Sequence, residues 1–140
     1  MQSAAIRNAG SKRALANTIG ERDGVVIQRA NQADFTDEAW REVQSLQHNA
    51  NGETVSSAAS GRKIHKGFKT DIDNLTIPGG GRVPGAPGYV DAYNSATKTI
   101  YELKPNNARS INMGIKQLQR YGKAFLAEWH YSPKLVLVVY

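Results

Sequence analysis

In the second half of the chain apolar residues recur at two different spacings, and the change from one to the other marks the elements. From Ser110 onward Ile111, Ile115, Leu118, Gly122, Phe125 and Trp129 follow at steps of four and three, which places them on one face of a single helix. Gly114 and Gly122 lie inside that helix, where each costs about 1 kcal/mol relative to alanine, so they are expected to mark close approach to another backbone. After Pro133 the run LVLVVY is continuously apolar, as in a strand buried on both faces. Upstream, GYVDAYN and KTIYELK flank the turn-prone Asn94-Ser95-Ala96-Thr97 and predict a β-hairpin, ended by Pro105, which cannot donate to a ladder.

The first half is less periodic. In DFTDEAWREVQSLQHNA, residues 34–50, Thr36 can cap a helix, and Asp37 and Glu38 fall in its first turn. Phe35 can pack on Trp40 as a staple, with Trp40, Val43 and Leu46 as the apolar stripe. Residues 51–62 have the composition of a loop, and KIHKGFKTDIDNLTIP, residues 63–78, suits one or two short strands. Residues 79–88 are too rich in Gly and Pro for any regular element. Residues 1–33 mix small, polar and basic positions and are expected to be a loosely ordered lead or linker, with the domain proper at 34–140. The order helix, strands, hairpin, helix, strand predicts a small α/β arrangement of layers around a mixed sheet.

A length of 140 residues suits about one domain. A content of 40% hydrophobic and 21% charged residues is globular, and no apolar run reaches the ~18 residues of a membrane span. With no cysteine there is no disulfide framework, thiolate zinc site or thiol nucleophile, so any metal must sit on oxygen or histidine. The first 24 residues have no apolar segment of the kind a secretory signal needs. The net charge of +6 is uneven: residues 31–60 carry −4 and residues 61–140 carry +7, which favours a polyanionic partner for the C-terminal part.

The hairpin carries the sharpest chemistry. Side chains alternate across a strand, so Glu102 and Lys104 share a face, and a turn at 94–97 brings Asp91 opposite residues 100–102. Two carboxylates and an ammonium thereby converge. Carboxylate oxygens together with the Leu103 backbone carbonyl are hard ligands of the kind Mg²⁺ and Mn²⁺ prefer, and the lysine can orient or deprotonate a water and offset charge on a phosphate. Ordinary charges on a solvated sheet face are the alternative.

The spacing of Asp91 and Glu102-Leu103-Lys104 between apolar neighbours resembles the PD-(D/E)xK nuclease superfamily, whose restriction-endonuclease-like core sets this triad on a hairpin beside a helix. More closely, YELKPNNARSINMGIKQLQRYGKAF resembles the restriction-endonuclease-fold toxin modules at the C-termini of bacterial polymorphic toxins, including contact-dependent inhibition and Rhs-type proteins; the resemblance spans about residues 60–140. It departs from the family pattern where Tyr89-Val90 precedes the aspartate in place of a proline. Gln117-x-x-x-Tyr121 resembles a motif that the helicase-associated exonuclease branch carries on the helix after the Glu-x-Lys strand. Such a pair can reach the active-site lysine or a substrate phosphate. Lys116, Arg120 and Lys123 are neighbours suited to phosphate contact. His65 is open between general acid, substrate contact and structural roles. Glu42 falls where several members add a further carboxylate near the metal, with Glu38 competing for that place and a solvent-facing acid as the alternative.

The resemblance implies a Mg²⁺- or Mn²⁺-dependent endonuclease toxin, a DNase ahead of a tRNA-cleaving enzyme. It also implies delivery from a producing bacterium into the cytoplasm of a target cell and a cognate immunity protein, expected to be acidic. A non-catalytic nucleic-acid-binding module and a housekeeping repair nuclease are the other readings.

Overall fold

The computed structural model describes residues 17–68 and 82–140. Seven strands lie among them: β1 Thr18–Arg22, β2 Val25–Arg29, β3 Gln47–His48, β4 Thr54–Val55, β5 Ala92–Asn94, β6 Thr99–Lys104 and β7 Lys134–Val139. The helices are α1 Asp37–Ser45, α2 Ala58–Lys66 and α3 Ala108–Trp129, with a short 3-10 turn at Gln32–Asp34. Five strands form one sheet in the order β1-β2-β7-β6-β5; β7 runs parallel to both β2 and β6, and the outer pairs are antiparallel. This is the expected mixed α/β sheet, and β7, the LVLVVY segment, lies at its centre.

The sheet is covered on both faces. On one, Ile100 and Leu137 pack with Ile115, Leu118, Tyr121 and Phe125 of α3. On the other, Tyr101, Leu103 and Val138 pack with Phe35, Ala39 and Ile64 from the α1–α2 layer. The alternation along β6 therefore holds as expected, with Ile100, Glu102 and Lys104 directed away from Tyr101 and Leu103. Among the described residues no helix is long and apolar enough to cross a membrane.

Local signals explain most elements. Thr36 Oγ1 accepts from the Ala39 N–H at 3.3 Å to cap α1, and the Phe35 and Trp40 rings stack at 5.9 Å, as the staple predicts. Trp40, Val43 and Leu46 flank the core only partly buried, and Ala39 is the fully buried residue of α1. Asn107 caps α3 by accepting from Ser110 N–H at 2.8 Å. A Cβ at Gly114 would stand 2.6 Å from Leu137 Cδ1 and 3.1 Å from Lys104 Cγ. The close approach is real, but it is to side chains on β6 and β7 rather than to backbone. At Gly122 the nearest neighbour would be Leu135 Cδ1 at 3.4 Å, an ordinary contact, so no tight approach is built there.

Two segments differ from expectation. Residues 18–34 are not a loose lead: they form β1, β2 and the 3-10 turn, and the sheet begins well before residue 34. The hairpin turns on Asp23 and Gly24, both at positive φ (54° and 81°), a two-residue connection that matches strand twist. Residues 1–16 of the expected lead lie outside the described residues. Residues 58–66 are helical, not loop followed by strand: Ser57 caps α2 by accepting from Ser60 N–H at 3.1 Å, and the helix buries only Ile64, so it shows no apolar periodicity. The rest of the expected strand region, residues 69–78, and Gly79–Gly81 of the Gly/Pro-rich segment lie outside the described residues. Residues 82–88 are irregular as expected, with Val83 buried in the α3-side core and an isolated bridge pairing Arg82 with Tyr89.

Candidate active site

β5 pairs with β6 through Ala92 opposite Tyr101, so Asp91 meets β6 just past the end of the ladder. There the Leu103 N–H, which has no β5 backbone partner left, donates to Asp91 Oδ2 at 2.7 Å. In an extended strand the N–H and C=O of one residue point to the same edge, so the Leu103 carbonyl is on the Asp91 side as well. Glu102, next along the strand, turns toward α3 and is only 3% exposed. Lys104 Nζ stands 3.8 Å from Glu102 Oε2, at a separation of weak ion pairing, with its stem under Gly114. The hairpin thus gathers Asp91, Glu102 and Lys104, together with the Leu103 backbone, as the sequence suggests.

The electrostatics of the cluster are strained. Burial, joined by the neighbouring Asp91 charge, pushes the Glu102 carboxyl up to about 9, against the opposing pull of Lys104. Glu102 Oε1 is buried with no hydrogen-bond partner among the described residues. A buried acceptor left unpaired is costly, and two adjacent carboxylates resist being charged together. Both costs are relieved by a cation. The donor set of two carboxylates and a backbone carbonyl has the hard-oxygen character of a Mg²⁺ or Mn²⁺ site. No cluster of three or more His, Cys, Asp or Glu side chains suited to a metal occurs among the described residues. A site with so few protein ligands fits an ion that keeps waters and takes substrate oxygens, as Mg²⁺ does.

His65 projects from α2 to the same place. Its Nδ1 lies 3.0 Å from the Gly61 carbonyl and its Nε2 3.4 Å from Asp91 Oδ2. The contact with Asp91 raises the imidazole above its ordinary pKa, more than burial lowers it. Tyr121 is fully buried on α3, and its hydroxyl donates to the Tyr89 carbonyl at 2.9 Å while accepting from Gln117 Nε2 at 3.3 Å. The Gln117–Tyr121 pair is therefore beside the cluster, and the phenol is used to hold the segment that delivers Asp91. Burial raises the Tyr121 hydroxyl pKa, with the Glu102 and Asp91 charges adding to the effect.

The other candidates are placed differently. Glu42 accepts from Ser60 Oγ at 2.6 Å and lies 3.8 Å from Lys63 Nζ, so it is engaged in the seam between α1 and α2. Glu38 is exposed in the first turn of α1. Lys116, Arg120 and Lys123 are exposed along α3 at i, i+4 and i+7 and form a basic stripe. Sequence reading missed α2 as the carrier of His65 and Arg62; the Ser57 cap was the one available signal. It also missed the Tyr89 carbonyl as the partner of Tyr121, for which the sequence carries no signal.

A family described as restriction endonuclease fold toxin 9 matches residues 53–140, the stretch that holds α2, the hairpin, α3 and β7. No curated protein and no solved structure matches the chain.

Proposed function

Since the chain belongs to the restriction endonuclease fold toxin 9 family, we propose that its nuclease activity is metal-dependent hydrolysis of DNA phosphodiester bonds at Asp91, Glu102 and Lys104. The observation that carries this reading is the buried Glu102 carboxylate, set beside Asp91 with one oxygen unpartnered. A merely nucleic-acid-binding module has no use for so costly a group, because phosphates are bound by surface cations.

Asp91, Glu102 and the Leu103 carbonyl would hold the ion. Mg²⁺ or Mn²⁺ supplies Lewis acidity at the scissile phosphate and lowers the pKa of water. Lys104, whose nearest carboxylate oxygen is 3.8 Å away, can donate to a non-bridging phosphate oxygen and offset the charge that develops there. His65 and the Leu103 N–H fix the rotamer of Asp91, and Tyr121 fixes the backbone that carries it. The stripe of Lys116, Arg120 and Lys123 contributes sequence-independent phosphate attraction.

As a toxin domain, the protein acts after delivery into the cytoplasm of a target cell, and the producing cell is protected by an immunity protein. A basic surface on the nuclease calls for an acidic face on that protein, which speeds association. The test is incubation of the purified domain with plasmid DNA and with total tRNA, each with Mg²⁺, with Mn²⁺ and with EDTA. Plasmid nicking that requires the cation supports the reading; cleavage of tRNA alone replaces DNA by RNA and leaves the centre in place.

A further inference from the structure

Past His65 and Lys104 the site opens into a cleft of about 430 Å³. Both residues line it, and each also contacts a carboxylate of the cluster, His65 that of Asp91 and Lys104 that of Glu102, so the cleft adjoins the cluster through them. Its remaining walls include Arg62 of α2, Ser110 and Met113 of α3, and Tyr140 after β7. It lies outside the C-terminal ends of β6 and β7, two parallel strands, where open α/β sheets receive ligands.

The volume is large enough for a single nucleoside, and the lining sets the chemistry it would meet. Arg62 has no ion-pair partner among the described residues. An exposed guanidinium of this kind can meet a phosphate or the face of a base. Met113, an apolar and polarizable side chain on α3, is 53% exposed and lines the cleft. Soft sulfur accepts the flat face of any base. The combination of a cation, hydroxyl groups and an apolar wall beside a phosphodiester site is that of a nucleotide subsite.

We propose that this cleft takes an unpaired nucleotide next to the scissile phosphate, so that the enzyme cuts where a base is already unstacked or can be extruded from the duplex. The proposal rests on the nuclease reading above and adds the state of the substrate to it. Unstacking costs free energy, least where a base is already unpaired, which makes loops and single strands the better substrates.

The test uses hairpin oligonucleotides with a fully paired stem and an unpaired loop, one set in DNA and one in RNA, cut by the full chain in Mg²⁺ and mapped at nucleotide resolution. Cleavage in the loop at least 10-fold faster than in the stem is expected in whichever sugar is accepted. Met113→Asp and Arg62→Ala should each raise KM for the loop substrate by about 10-fold with kcat nearly unchanged, in keeping with the worth of one stacked base. Their melting curves serve as the folding control. Equal cutting of stem and loop, or unchanged KM in both folded variants, overturns the cleft assignment while leaving the nuclease reading intact. Cleavage of neither hairpin in either sugar overturns both.

Discussion

The N–H of Leu103 is bound to Asp91 Oδ2 at 2.7 Å, although the two residues belong to opposite arms of a hairpin whose ladder has ended one residue earlier. That bond places a carboxylate where the β-ladder ends. It pins a carboxylate at the edge of β6 beside the buried Glu102, and it leaves the Leu103 carbonyl on the same edge. The restriction-endonuclease-like core contributes a central pair, β6 and β7, against which the arm carrying Asp91 is held by Leu103, His65 and Tyr121.

Asp91→Ala and Lys104→Ala should each reduce cleavage by about 10³-fold or more while leaving the thermal transition within a few degrees of wild type. Residues that act as a unit lose nearly everything when one is removed. Gel-based turnover of the preferred nucleic acid, alongside circular dichroism melts, checks both halves of the statement.

Without a divalent cation, stability should decline as pH rises. The Glu102 pKa is raised in the folded state, from 4.5 to about 9, so between those values the native protein binds a proton that the unfolded chain has released. The slope of unfolding free energy with pH is then negative, and the loss is complete as pH passes about 9. Melting temperatures in EDTA from pH 5 to 9 should fall for the wild type and fall less for Glu102→Gln, which keeps the neutral form. Parallel curves would remove the buried-carboxylate description.

Tyr121→Phe deletes the hydroxyl that holds Tyr89 and should slow turnover by about 10-fold, within the range for residues that orient ligands from behind. Because Asp91 is then less well placed, the Mg²⁺ concentration for half-maximal rate should rise. Gln117→Ala, which removes the amide donor to the phenol, should cost less. A Tyr121→Phe enzyme with unchanged Mg²⁺ dependence would show that the hydroxyl is not part of the support.

Of the two glycines in α3, one is needed and one is not. Gly114→Ala forces a methyl against Leu137 and the Lys104 stem, a clash of about 1–3 kcal/mol set against a helix-propensity gain of about 1 kcal/mol, so it should be neutral to destabilising and should lower activity by moving Lys104. Gly122→Ala meets only ordinary contact with Leu135 and should stabilise by up to about 1 kcal/mol with activity retained. Paired chemical denaturation curves distinguish the two.

The parts of the molecule that were legible in the sequence are those where burial imposes a period. α3 is 22 residues with one continuous apolar face, β7 is apolar throughout, and the alternation in β6 alone puts Glu102 and Lys104 on one side. α2 escaped because it buries one residue, Ile64, and covers the rest of its contact with Ala, Ser and Gly. β1 and β2 escaped although Asp23-Gly24 is a strong turn signal, because the strands it joins are five residues each and lie among basic and polar positions. In the site, residue types and strand parity were readable. The hydrogen bonds that give them their geometry, Tyr121 to Tyr89 and Leu103 to Asp91, span 32 and 12 residues and follow only from the folded packing.

The most direct measurement is Mg²⁺ binding to wild type and to Glu102→Gln by titration calorimetry, with cleavage followed in the same samples. A cation site at Asp91 and Glu102, as proposed, requires saturable binding by the wild type, its loss in Glu102→Gln, and loss of cleavage with it, both proteins remaining folded. Equal Mg²⁺ affinity in the two proteins, or full cleavage by Glu102→Gln, would contradict it.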